Sequence, residues 1–191
     1  MQGTLRVTGD SEADDLVSTD PFALLVAMIL DQQVPLEWAF RGPHTLRQRL
    51  GFLDAERVST MDVEHLVVVA CQVPAIHRYP AVMAQRVHAV AVRLVEEYSG
   101  DAQRIWEDAE NGQDLYRRLI ELPGFGDEKA KILIAVLAKR FDIRPQGWEI
   151  RSAPFSDSVP RSAADIDGPD ALAMVRDWKR AQRAVGKSKQ D

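Results

Sequence analysis

Residues 122–126 read Leu-Pro-Gly-Phe-Gly, with helical apolar periodicity on both sides. Proline has no amide to donate and crowds the preceding turn, so the first helix must end there. The two glycines open positive φ angles and leave room for another molecule at the backbone. The chain must therefore fold as two helices joined by a tight bend. The amides of Gly124, Phe125 and Gly126 are expected to point outward together. They would sit at the positive end of a helix starting near Asp127, an arrangement that suits one phosphate. The alternative is a tight helix–helix turn with a glycine cap and no ligand.

The rest of the chain reads as helix too. Asp20-Pro21 is an N-cap with proline at the first helical position, and the segment to about Gln33 is apolar nearly all round. That pattern predicts a buried central helix. A second helix runs from about Leu36, is interrupted at Gly42-Pro43, and continues to Leu50. Asp54 and Ser59-Thr60 read as caps of two short helices. Pro80 opens the longest amphipathic segment, and Gly100-Asp101 and Gln113 open two more. Asp127 to Phe141 and Pro169 to about Ala184 are the last two. No segment alternates as a strand would, so the fold class is all-α. Residues 1–19 are expected as an acidic arm, 20–141 as the main helical domain, and 142–168 as a long loop. That loop leads to a basic helix and tail completing the same domain.

Composition narrows the chemistry. The 191 residues, 46% hydrophobic and 28% charged, suffice for one domain with a real core. The longest apolar runs fall far short of the roughly 20 residues that span a bilayer, so no membrane partner is expected. No secretory pattern opens the sequence, and a cytoplasmic location is expected, nucleoid-associated if the source is bacterial. One cysteine, Cys71, rules out an internal disulfide and a four-cysteine iron–sulfur cluster. Four scattered histidines give no metal-ligand spacing, so no metal is expected. The net charge of −5 speaks against a protein that coats nucleic acid. The charge is uneven, however. Residues 1–37 hold one Arg against seven carboxylates, whereas residues 171–191 hold six Lys/Arg against two.

Two segments carry a resemblance. One is Asp20-Pro-Phe-Ala-Leu-Leu-Val-Ala-Met-Ile-Leu-Asp-Gln-Gln-Val34, and the other is Glu121-Leu-Pro-Gly-Phe-Gly-Asp-Glu-Lys-Ala130. Together, over residues 20–141, they resemble the helix-hairpin-helix (HhH-GPD) superfamily of base-excision DNA repair glycosylases. The resemblance implies double-stranded DNA as partner, extrusion of a damaged or mispaired nucleotide, and hydrolysis of its glycosidic bond. It implies backbone contacts at Pro123, Gly124, Phe125 and Gly126, with Lys129 meeting phosphate or solvent. It places Gln32 and Gln33 at the turn that enters the vacated base stack or touches the opposite base. Capping of a buried helix is the alternative for both glutamines. A monovalent cation often completes hairpins of this kind.

The chain departs from that pattern at the chemistry. The family's catalytic Asp would fall on Gln146 to Trp148, where none stands. Glu149 is the nearest replacement and is the expected catalytic carboxylate. Glu128 occupies the position of the lyase lysine, so no Schiff base is expected. A monofunctional DNA N-glycosylase is one reading. A non-catalytic binder of DNA or lesions is a second, and a protein-interaction module on the same scaffold is a third. Trp38, Phe40 and Tyr79 are candidates for lining a base pocket. Arg176, Lys179, Arg180 and Arg183 offer a second backbone contact or a plain solvated face.

Overall fold

The computed structural model describes residues 3–188 and 190. Residues 1, 2, 189 and 191, the extremes of the expected arm and tail, lie outside the described residues. The described residues form eleven α-helices: α1 Ser11–Thr19, α2 Pro21–Leu30, α3 Leu36–Leu50, α4 Ala55–Ser59, α5 Val63–Cys71, α6 Pro80–Tyr98, α7 Arg104–Glu107, α8 Gly112–Ile120, α9 Asp127–Phe141, α10 Trp148–Ser152 and α11 Pro169–Ala184. A short 3-10 turn spans Ala163–Asp165. Among the described residues there is no β-strand, and the fold is all-α. No helix among them is long and apolar enough to cross a membrane.

Helix α2 is the axis of the molecule. The Asp20 carboxylate accepts from the amides of Phe22 and Ala23, at 2.9 and 3.1 Å, and Pro21 sets the first turn. Every residue from Phe22 to Leu30 is buried. Each large side chain there contributes roughly 1.5–3 kcal/mol by leaving water. Helices α1, α3 and α6 pack around α2, and α4 and α5 lie on α6. Helices α8 and α10 pack on α9, whose residues Ile132 to Ala138 are also buried.

Three expectations need correction. The acidic lead-in is not an arm. Leu5, Val7, Leu16 and Val17 are core residues. Its carboxylates are bonded rather than merely solvated: Asp10 caps α1, and the buried Asp14 accepts from the amides of Val7 and Thr8 and from the Thr8 hydroxyl. Second, α3 runs unbroken through Gly42-Pro43. Both residues are buried, and a Cβ on Gly42 would stand 2.2 Å from Leu30 Cδ1. The glycine is there to let α2 and α3 close up, and that packing offsets the hydrogen bond the proline forfeits. Third, residues 142–168 are not a plain loop. Asp142 (φ +57) and Gly147 (φ +80) turn the chain back, and α10 docks on the start of α8. The Gly112 amide donates to the Gln146 carbonyl at 2.8 Å there.

Candidate functional site

The bend at 122–126 closes as a β-turn. The Phe125 amide donates to the Leu122 carbonyl at 3.0 Å, and Gly124 takes φ +83 at the third position, behind Pro123. This is the type II pattern, in which only glycine is relaxed at that place. Phe125 therefore does not present an outward amide, contrary to expectation, and its ring is buried. The amides of Gly124, Gly126 and Asp127 remain. None donates to a protein acceptor among the described residues, and α9 has no side-chain cap. Three donors without a protein acceptor and the positive end of a fifteen-residue helix thus stand together at an exposed bend. Asp127 stands beside them, and its ion pair with Lys131 at 2.9 Å holds the carboxyl below its ordinary pKa.

A groove of about 1010 Å³ runs past this bend. One wall is the turn after α2, from Asp31 to Glu37. The floor carries Gly124, Phe125, Gly126, Glu128 and Lys129, and the far wall is α11. Arg176, Lys179, Arg180 and Arg183 all line it. Their spacing of three, four and seven residues puts them on one face of α11, and that face lines the groove while Arg176, Arg180 and Arg183 stay exposed to solvent. Arg86 of α6 and Lys129 bring the cations lining the groove to six, against the carboxylates of Asp31, Glu37 and Glu128. A chain of net charge −5 thus concentrates positive charge in one concavity.

The Gln turn is held from behind. Gln32 Oε1 accepts from Arg86 Nη1 at 2.6 Å. The Tyr79 amide donates to His77 Nδ1 at 2.9 Å, so that nitrogen carries no proton. Nε2 is then the protonated nitrogen, and it donates to the Gln32 carbonyl at 2.9 Å. Burial, with the positive charges of Lys129 and Arg86 behind it, holds the His77 pKa below the ordinary histidine range. Gln33 is the opposite case: it is exposed, takes φ +58, and its amide bonds nothing among the described residues. A non-glycine residue there is uncommon, and the clamped Gln32 is what fixes it in place.

Lys129 is half-buried and lines the groove. Its ammonium donates to the Ile29 carbonyl at 2.6 Å, at the negative end of α2. It braces the Gln turn against the bend. Arg176 is paired with Glu37 across the groove. Pro123 shapes the turn but does not line the groove.

Glu149 is exposed on α10 and is not among the groove residues. The start of α10 packs against Gly112 at the far end of α8, roughly 13 Å from the bend at 1.5 Å per residue. The groove carboxylate that sequence reasoning passed over is Asp31, the C-cap of α2. Its side chain makes no hydrogen bond or ion pair among the described residues. Its place next to Gln32 and Gln33 was the available signal. Phe40 is core, whereas Trp38 and Tyr79 are exposed beside the Gln turn. Among the described residues no cluster of three His, Cys, Asp or Glu side chains is placed to hold a metal ion. No protein-family model matches this chain, and no curated protein matches it.

Proposed function

We propose that this protein binds duplex DNA by its backbone, as a base-excision-repair protein of the helix-hairpin-helix kind. The observation that carries the reading is convergence. Gly124 and Gly126, whose amides bond no protein acceptor among the described residues, line one groove with the exposed Gln33 and the basic stripe of α11. Amides at a helix start and a row of cations are two means of holding phosphate, and neither reads sequence. Gln33 is the side chain positioned to enter a base stack. The test is fluorescence anisotropy of a labelled duplex of about two helical turns at low salt. Saturable binding is expected, weakened by Gly126→Ala and by Arg180→Ala with Arg183→Ala. Absence of binding rejects the reading.

A second reading, hydrolysis of an N-glycosidic bond, is favoured by Asp31. A carboxylate beside an extruded nucleotide can stabilise the oxocarbenium-like sugar or activate water. Glu149, the carboxylate expected from the sequence, does not line the groove. Release of free base from duplexes holding uracil, alkylated purines, 8-oxoguanine or mismatches tests it. Asp31→Asn should abolish the release and leave DNA binding in place, and Glu149→Gln should change neither. Without base release on any of these duplexes, the protein acts as a binder of lesions.

A further inference from the structure

We infer that Arg86 is a positioning residue that couples the bend at 122–126 to the Gln turn: a phosphate at the bend takes a bond from the same guanidinium that grips Gln32, so filling the bend stiffens the turn. This rests on the phosphate reading of the bend given above.

Arg86 is half-buried on α6 and lines the groove. Its stem lies over the bend. A Cβ built on Gly124 would stand 3.1 Å from Arg86 Cδ, 3.6 Å from its Cγ and 3.8 Å from its Cβ. Its head reaches the other segment, where Nη1 donates to Gln32 Oε1 at 2.6 Å. One side chain therefore touches both the bend and the turn. A guanidinium has five N–H donors, and the bond to Gln32 uses one. No carboxylate pairs with Arg86 among the described residues.

This state of bonding selects an anion. A charge-assisted bond to phosphate is about twice as strong as a neutral one, and the planar fork can serve two acceptors from different arms. An ammonium in the same place is a point charge and cannot reproduce that fork. Gln32 has a second hold, because His77 Nε2 donates to its carbonyl at 2.9 Å. His77 is buried, whereas Arg86 lines the groove, so the Arg86 hold is the one a ligand can reinforce. A guanidinium pinned by phosphate on one arm has less freedom left to lose in holding Gln32 with the other. Gln33, the next residue along, is exposed at φ +58 and takes its direction from that anchored neighbour. Coupling of this kind needs no change of fold, only a loss of motion in the turn.

The experiment titrates the full-length nitrogen-15-labelled protein with inorganic phosphate at constant ionic strength and follows two resonances. In the wild type the Gly126 backbone amide and the Gln32 side-chain amide should move together, with one shared dissociation constant. Arg86→Met keeps a stem against Gly124 and removes the guanidinium. Its Gly126 response should weaken about tenfold, the scale of one bond to a charged group, and its Gln32 response should vanish. Arg86→Lys should recover most of the Gly126 affinity and none of the Gln32 response, and it decides the matter should Arg86→Met unfold. A Gln32 resonance that stays still while Gly126 moves in the wild type overturns the coupling and leaves the bend standing. A Gln32 response that survives in either variant overturns it too. No movement of Gly126 in the wild type overturns the phosphate reading of the bend itself.

Discussion

Lys129 and Ile29 stand 100 positions apart, and the Lys129 ammonium donates to the Ile29 carbonyl at 2.6 Å. One bond thereby joins the end of the central helix to the start of the helix after the bend. The two segments that carry the resemblance are held together by it, with the groove between them.

Lys129→Met keeps the length of the side chain and removes the ammonium. The expected loss of stability is about 1.5–3 kcal/mol, the range for a hydrogen bond to a charged group. Urea denaturation measures it. The salt dependence of DNA binding should keep its slope, because Lys129 is engaged with protein rather than phosphate. A slope reduced by about one unit would reassign it to the backbone.

The two hairpin glycines should behave differently. Gly124 sits at φ +83, and a Cβ there would lie 3.1 Å from Arg86 Cδ. Gly124→Ala should cost about 1–3 kcal/mol of stability through backbone strain, and DNA affinity should fall with it. Nothing lies within 4 Å of a Cβ built on Gly126, whose φ is −119. Gly126→Ala should therefore leave the melting temperature nearly unchanged and still weaken binding, because the methyl stands where a phosphate must approach. Paired melting and anisotropy measurements separate strain from contact.

Arg180 and Arg183 are exposed on the groove face of α11. Replacing either by alanine should change stability by less than about 0.5 kcal/mol. Each replacement should lower the salt slope of DNA binding by about one. Titrations of the two variants from low to moderate salt check this.

Acid should loosen the Gln turn. His77 is buried as the neutral tautomer, and its pKa in the fold is held below the ordinary histidine value of 6.5. The unfolded chain therefore binds the proton first as pH falls through that value, and stability declines from there down to the folded pKa. Asp114 and Asp127 have pKa values below the ordinary 3.8, so their contributions are lost only at lower pH. Urea midpoints measured downward from pH 7.5 should fall below about 6.5 in the wild type. The fall should be shallower in His77→Asn.

How much of this was legible in the sequence depended on local signals. Helices α9 and α11 begin where the Gly126 and Pro169 signals put them, because caps and proline act within a turn. The all-α class follows from helical periodicity that nothing interrupts with alternation. The errors came from tertiary effects. Gly42-Pro43 reads as a break, and only the pressure of Leu30 on Gly42 shows why the helix continues. The acids of residues 10–15 read as a solvated arm until Asp14 is seen accepting three bonds in the core. The bond from Lys129 to Ile29 was not visible because the two are remote in sequence. The basic stripe of α11 was visible as a pattern, but which wall it forms depended on packing across the whole chain. The Phe125 amide failed for a local reason: the type II turn that the Pro-Gly pair demands consumes it.

The central claim is that the groove grips phosphate, and the salt dependence of wild-type binding to an undamaged duplex tests it most directly. Each neutralised phosphate contributes a slope of about −0.9 in log affinity against log salt, so three or four contacts predict a value of about −3 to −4. A slope near zero, or no binding even at low salt, would contradict the account.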